Sequence, residues 1–183
     1  MYEHETAEAN MFTVNIKKKS KTVYQQSLTT RRPKSKGLKF WNMAYHGEQG
    51  TYYALYPQSW TKYNLPGQNV KLTCHQISPI IPHNYKDSSL PVALFDWTVE
   101  NDNNEDIEVS LMFTWQSGSS GKKFELKDVK SESFKHLNYE ENVSGVVLSQ
   151  QFRNMDLEYC LGVKNVNLKQ KFIKKLIIII KFF

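Results

Sequence analysis

The sequence predicts an all-β protein, an antiparallel β-sandwich, and three observations carry that prediction. Apolar and polar residues alternate at period two in separate stretches, as in Phe12-Thr13-Val14-Asn15-Ile16 and again from Ile107 to Trp115. No stretch before Lys164 sustains the 3.6-residue period of an amphipathic helix. Aromatic residues make up 13% of the chain, which favours strands, and short strand-like runs recur with turn residues between them. At 183 residues the chain can bury a core without staples.

Taken in order, the first strand falls on Phe12 to Ile16 and the second on Thr22 to Leu28. Lys17-Lys18-Lys19-Ser20-Lys21 between them reads as an exposed hairpin turn, because a nucleic-acid patch would need interleaved aromatics and a basic neighbourhood. Arg31 to Gly37, broken by Pro33 and Gly37, is a polar loop. An aromatic segment follows: Trp41, Tyr45, Tyr52, Tyr53, Tyr56, Trp60 and Tyr63, with His46 and Glu48 beside Gly47 and Gly50. Such a cluster forms either the core and rim of a sheet or a cleft in which sugar rings stack on aromatic planes.

The stretch from Leu65 to Trp97 organises the rest. A turn at Leu65-Pro66-Gly67 leads into a strand over Val70 to Cys74, and a second strand runs over Val92 to Val99. Pro66, Pro79, Pro82 and Pro91 fix φ and remove backbone donors, so Ser78 to Pro91 is expected to be neither helix nor central strand but a stiff surface loop. The polar run Asn101 to Asp106 reads as a hairpin loop into the strand Ile107 to Trp115, and it lacks the Gly and terminal Glu of a calcium-binding EF-hand. Ser117 to Lys122 reads as a flexible turn, since Gln116 stands where a phosphate loop needs Gly. Val143 to Phe152 and Leu157 to Val163 add two strands, with Arg153 to Asp156 turning between them.

Residues 164–183 break this grammar, so the chain divides into a sandwich domain over 1–163 and a Lys/Ile-rich tail over 164–183. The continuous apolar run Leu176 to Ile180 is far short of the ~20 residues that span a bilayer. A basic, apolar helix lying on an anionic membrane is one reading of the tail; translation past an authentic exon end is the other.

Charge follows the same division. Residues 1–39 hold nine basic and three acidic residues, 40–163 hold nine and fifteen, and 164–183 hold six and none. The net charge of +6 therefore belongs to the ends, and an acidic middle disfavours a nucleic-acid partner. Cys74 and Cys160 are too few for a disulfide scaffold and lack metal-ligand spacing, so both read as buried free thiols. The opening residues have no apolar core of signal-peptide length, which leaves the sequon Asn142-Val143-Ser144 idle.

No catalytic constellation emerges. His4, His46, His75, His83 and His136 are scattered, no helical His pair with Glu occurs, and there is no Gly-x-Ser-x-Gly elbow. Asp87, Asp96 and Glu100 cannot be nominated as a glycosidase pair without their separation; Asp96 and Glu100 share a strand face, expected to be the solvated one. No catalytic residue, metal site or cofactor is assigned.

Longer motifs carry a resemblance. Ala54-Leu55-Tyr56-Pro57, Trp60-Thr61, Leu65-Pro66-Gly67-Gln68-Asn69-Val70, Gln76-Ile77-Ser78-Pro79-Ile80-Ile81-Pro82-His83 and Asp87-Ser88-Ser89-Leu90-Pro91-Val92, with Thr22-Val23-Tyr24-Gln25-Gln26 and Trp41-Asn42, resemble the non-lysosomal glucosylceramidases, glycoside hydrolase family 116. The match covers Met1 to Phe113 and weakens toward Val163. The chain departs from the family pattern at Tyr45-His46, where a small or apolar residue and Cys are expected.

The resemblance implies an N-terminal β-sandwich packed on a C-terminal (α/α)6 barrel, in a retaining β-glucosidase that acts on glucosylceramide at the cytosolic face of endoplasmic reticulum or Golgi membranes. Its nucleophile Glu and acid/base Asp belong to the barrel, so no residue here inherits either role. A Gly-rich segment and first strand are expected ahead of Met1. On this reading the chain is a non-catalytic domain whose partner is the barrel, with glucosylceramide a substrate only of the full-length protein and membrane contact peripheral. The alternative is a stand-alone glycan-binding or protein-interaction module. Pro79, Pro82, His83, Tyr85 and Asp87 are the candidates for domain docking or for a cleft rim.

Overall fold

A computed structural model describes residues 10–30, 41–43, 45–115, 127–137, 142–152, 155–166 and 173–182. The expected loops at Arg31 to Gly37 and Ser117 to Lys122, and the turn residues Arg153 and Asn154, lie outside them. The protein is an all-β, antiparallel sandwich. One sheet has the strand order β2-β1-β7 and the other β3-β4-β5-β6-β11-β10-β9-β8. The chain divides into two compact units, one of residues 1–51, 63–71 and 101–116 and one of residues 52–62, 72–100 and 117–183.

In the first unit, β1 (Met11–Lys18) and β2 (Lys21–Ser27) form a hairpin. The lysine run is a tighter turn than its length suggests: Lys17 and Lys18 belong to β1, Lys21 to β2, and only Lys19 and Ser20 turn, with φ of 48° and 64°. Two central residues at positive φ give the turn the twist that a two-residue hairpin requires. Val14 and Ile16 are fully buried, as their alternation predicts. The intervening Thr13 is buried as well, and its hydroxyl lies 3.0 Å from that of Ser27.

β7 (Glu108–Thr114) presents Val109, Leu111 and Phe113 inward and Glu108, Ser110 and Met112 outward, as expected. Its partner is not the preceding strand. β7 pairs antiparallel with β1, from Met11↔Thr114 to Lys17↔Glu108, and Phe12 meets Phe113 at 4.5 Å between ring centroids. Residues 102–107 are therefore a crossing between sheets rather than the expected hairpin loop. The reason lies in their amides. Asp102 N–H donates to the Asn69 carbonyl (2.9 Å) and the Asn103 side chain to the Gln68 carbonyl (2.7 Å), which ties the segment to the turn after β4. A polar run has the same composition in a hairpin and in a crossing, and only these tertiary bonds distinguish the two. The turn expected at Leu65-Pro66-Gly67 runs over Pro66 to Asn69, with Leu65 the last residue of the preceding strand and Gly67 at φ 71°.

In the second unit, β5 (Val70–Ile77) and β6 (Val92–Asn101) are neighbours and supply the buried Leu72, Cys74 and Trp97. Asp96 is not on a solvated face as expected. It is half-buried, and together with burial it pushes the Cys74 thiol up to about 12. β9 (Asn142–Phe152) and β10 (Met155–Val166) pair from Met155↔Phe152 to Lys164↔Val143, so Met155 and Asp156 belong to the strand, not to a turn.

Three further strands complete the sheet: the hairpin β3 (Gly50–Leu55) and β4 (Gln58–Leu65), and β8 (Lys127–Leu137), which pairs with β9. The tail supplies another. Residues 173–182 form β11 (Ile173–Phe182), paired antiparallel with β6 from Ile173↔Glu100 to Lys181↔Val92 and with β10 from Val166↔Lys175 to Tyr159↔Phe182. The helical reading of the tail is thus replaced.

Candidate functional site

The proline-bounded stretch between β5 and β6 builds its own scaffold. The expectation that it holds no helix needs one correction. Between Pro82 and Pro91 there is room for a single turn, and Tyr85–Ser88 form it as α1. Asn84 caps that turn: its Oδ1 accepts from the Asp87 N–H (3.1 Å), and its Nδ2 donates to the Asp87 carboxylate (2.6 Å). The Ser88 hydroxyl accepts from the Ile81 N–H (2.8 Å) and donates to the Ile81 carbonyl (3.1 Å). The N–H groups of Asn84, Ser88, Ser89, Leu90 and Val92 all donate to carbonyls within the same stretch. Prolines at 79, 82 and 91 remove three more donors that would otherwise need partners.

Asn84, Asp87 and Ser88 are turned on the loop itself, and the loop's large apolar side chains stand outside, beside the exposed His83 and Lys86. Ile80, Ile81 and Leu90 are exposed by nearly half, and Tyr85 is 87% exposed. The loop is also fixed at its base, where Ser78 N–H donates to the Pro57 carbonyl (3.0 Å) in the β3–β4 turn. That turn carries Tyr56, 81% exposed.

The five residues singled out from sequence divide by role. Tyr85 stands outermost, Pro82 and His83 are exposed, and Pro79 is half-buried. Asp87 faces inward as the partner of Asn84. His83 holds φ 63°, a conformation that a non-glycine residue adopts only when its surroundings impose it. Sequence reasoning missed Ile80, Ile81 and Leu90, although apolar residues in a loop barred from the sheet were the available signal. It also missed Asn84 and Ser88, for which the Asn-x-x-Asp spacing of a helix cap was the clue.

The aromatic segment splits between core and surface. Tyr45 is buried; its ring meets Tyr63 edge-on at 5.5 Å, and its hydroxyl lies 2.7 Å from the Gln49 carbonyl and 2.9 Å from that of Asn64. Of the pair Tyr45-His46, Tyr45 is therefore taken into the core while His46 is exposed, and burial raises the Tyr45 phenol above its usual range. Trp60 stacks on His75 at 4.6 Å, and His75 Nε2 lies 2.8 Å from Gln58 Oε1. Tyr52, Tyr53 and Leu55 are more than half exposed, with the Lys62 ammonium 5.6 Å from the centre of the Tyr53 ring.

Among the described residues no group of three or more His, Cys, Asp or Glu side chains is placed to hold a metal ion. No helix among them is long and apolar enough to cross a membrane. What the site offers chemically is an internally braced surface on which Ile80, Ile81, Tyr85 and Leu90 stand beside the exposed Lys86 and His83.

One family model matches the chain. It is described as beta-glucosidase 2, glycosyl-hydrolase family 116 N-term, and it covers residues 1–177. The match passes the weakening expected near Val163 and runs into β11.

Proposed function

Because this chain belongs to the family of glycosyl-hydrolase family 116 N-terminal domains, we propose that it is the non-catalytic sandwich of a retaining β-glucosidase acting on glucosylceramide. Its task is to brace a helical catalytic domain and shape the rim of that domain's cleft. The observation that carries this reading is the inverted loop between β5 and β6. Five of its backbone N–H groups and the side chains of Asn84, Asp87 and Ser88 bond within the stretch while Ile80, Ile81, Tyr85 and Leu90 are exposed, which supports a preformed docking surface. A retaining mechanism needs two carboxyl groups about 5–5.5 Å apart. In the family that the chain resembles, both belong to the helical barrel. Placement on the cytosolic face of endoplasmic reticulum or Golgi membranes belongs to the same proposal and concerns the full-length enzyme.

The test has two arms. The 183-residue chain alone is expected to show no turnover of a fluorogenic β-glucoside above background. In the full-length enzyme, Tyr85→Glu with Leu90→Glu is expected to lower stability or activity, and Pro82→Ala with Asp87→Ala likewise. Met112→Glu, at an exposed apolar position outside the loop, is expected to do neither. Wild-type behaviour of both loop variants would refute the docking role, and turnover by the isolated chain would refute the non-catalytic one.

A further inference from the structure

Trp60 of β4 lies flat against His75 of β5, with ring centroids 4.6 Å apart and planes 8° from parallel. His75 Nε2 is 2.8 Å from Gln58 Oε1, so the Gln58 amide N–H groups are the ones left to meet a ligand. Gln58, Trp60 and Lys62 are alternate residues of β4 and share one face. The Lys62 ammonium stands 5.6 Å from the centre of the Tyr53 ring, which puts Tyr53 of β3 on that face too. It is the outer face. Cys74, next to His75 and pointing the other way, is buried with Leu72, whereas Trp60 and His75 are half-buried and Tyr53, Gln58 and Lys62 are exposed. All five side chains belong to one compact unit, and β3, β4 and β5 contain no Asp or Glu.

We propose that Tyr53, Gln58, Trp60, Lys62 and His75 form an open platform for a neutral glycan built of pyranose rings. A pyranose presents apolar C–H faces and a rim of hydroxyls, so it needs an aromatic surface with hydrogen-bonding groups at its edge. β4 supplies that combination along its length, as amide, indole and ammonium at Gln58, Trp60 and Lys62. Tyr53 and His75 extend it to the strands on either side. Strands lie about 4.8 Å apart, which carries Tyr53 and His75 roughly 10 Å from each other, about the reach of two linked sugar rings. Other occupants fit less well. A basic peptide finds no carboxylate on these strands. Lys71, the other lysine of the three, is paired with Asp102, and the single ammonium of Lys62 falls short of the basic stripe that a polynucleotide backbone requires. A protein partner needs a dry, continuous apolar centre, whereas an amide or an ammonium flanks each side of the indole here. Because the platform encloses nothing, binding is weak. It is separate from the loop between β5 and β6 and does not depend on that loop's role.

Calorimetric titration of the whole chain with cellotetraose tests the platform. Weak, saturable binding that does not change with salt is expected. Tyr53→Ala and Gln58→Ala, both at exposed positions, are each expected to weaken it about three- to tenfold. Tyr52→Ala is expected to leave it unchanged, because Tyr52 is an equally exposed ring of the same strand on the opposite face. Absence of saturable binding would overturn the proposal. So would a loss in Tyr52→Ala as large as that in Tyr53→Ala, or tighter binding of a thymidine tetranucleotide than of cellotetraose.

Discussion

The ring of Phe134 lies across Gly145. A methyl group added at Gly145 would stand 2.8 Å from two carbons of that ring and would run into the carbonyl oxygen of Leu161. Phe134 and Gly145 are register partners across β8 and β9, and the aromatic side chain occupies the space that Gly145 leaves open. Gly145→Ala should therefore lower stability by about 1–3 kcal/mol, the usual cost of overpacking. Thermal denaturation will show it against Gly47→Ala, where the added carbon meets only the Thr30 methyl at 3.8 Å and no loss is expected.

Tyr45 gives a second test. Its hydroxyl stands between the carbonyls of Gln49 and Asn64, so Tyr45→Phe keeps the ring in the core and leaves those two acceptors to find other donors. A loss of about 0.5–1.5 kcal/mol in denaturant unfolding is expected, with an unchanged m-value.

In the loop between β5 and β6, Asn84→Ala removes both the cap of α1 and the donor to Asp87. The expected cost is about 1 kcal/mol. It should appear as faster amide exchange confined to the loop, because the bonds that it breaks are internal to that stretch. Exchange that quickens equally in β1 and β2 would mean that the loop is not an independent scaffold.

The Cys74 thiol reports on burial. Its pKa is raised from about 9.0 to about 12, first by desolvation and then by Asp96. A native-state thiol titration at pH 8 should miss Cys74 and recover it on unfolding. Because the folded state holds this proton more tightly, the associated stability is fully present below the unfolded pKa and is lost as pH climbs from about 9 toward about 12.

Glu105 has the opposite sign. A hydrogen bond from Lys18, at 2.8 Å, and then its charge hold the Glu105 carboxyl below its usual 4.5. The contribution is present above the unfolded value and is lost as pH falls through the folded one. The Glu105 side chain is exposed, so the effect is small and salt should erase it. Glu105→Gln measured at neutral pH in low and in high salt should show a difference only in the first.

The strands legible in the sequence are those that show a local period or are bracketed by turns. β7 alternates because one side packs and the other is exposed, β1 shows the period through Val14 and Ile16 although Thr13 between them is buried too, and β5 and β6 are bracketed by turn residues. β3 hid because it is exposed on both faces and so has no apolar period. β8 hid because its sequence is charged, and β11 because its uninterrupted apolar run Leu176 to Ile180 has no period to read. The crossing from β6 to β7 depends on amide bonds to the turn after β4, between segments more than thirty residues apart, which no local pattern encodes. At the candidate site, the prolines announced rigidity, and Tyr85 and Asp87 were on the page. The exchange of roles that sends carboxylate inward and isoleucine outward was not, because it follows from a hydrogen-bond network and not from composition.

The place of β11 has a consequence in time. A ribosome delivers β6 long before residues 173–182, whereas β10 ends at Val166 and is made just ahead of them, so β6 is the strand that first meets the cell with one row of amides and carbonyls unclaimed. Until β11 slides between them, β6 and β10 are not joined. Chaperone dependence and misassembly should therefore concentrate in that interval, and a nascent chain arrested just short of residue 173 is the species in which to look for them.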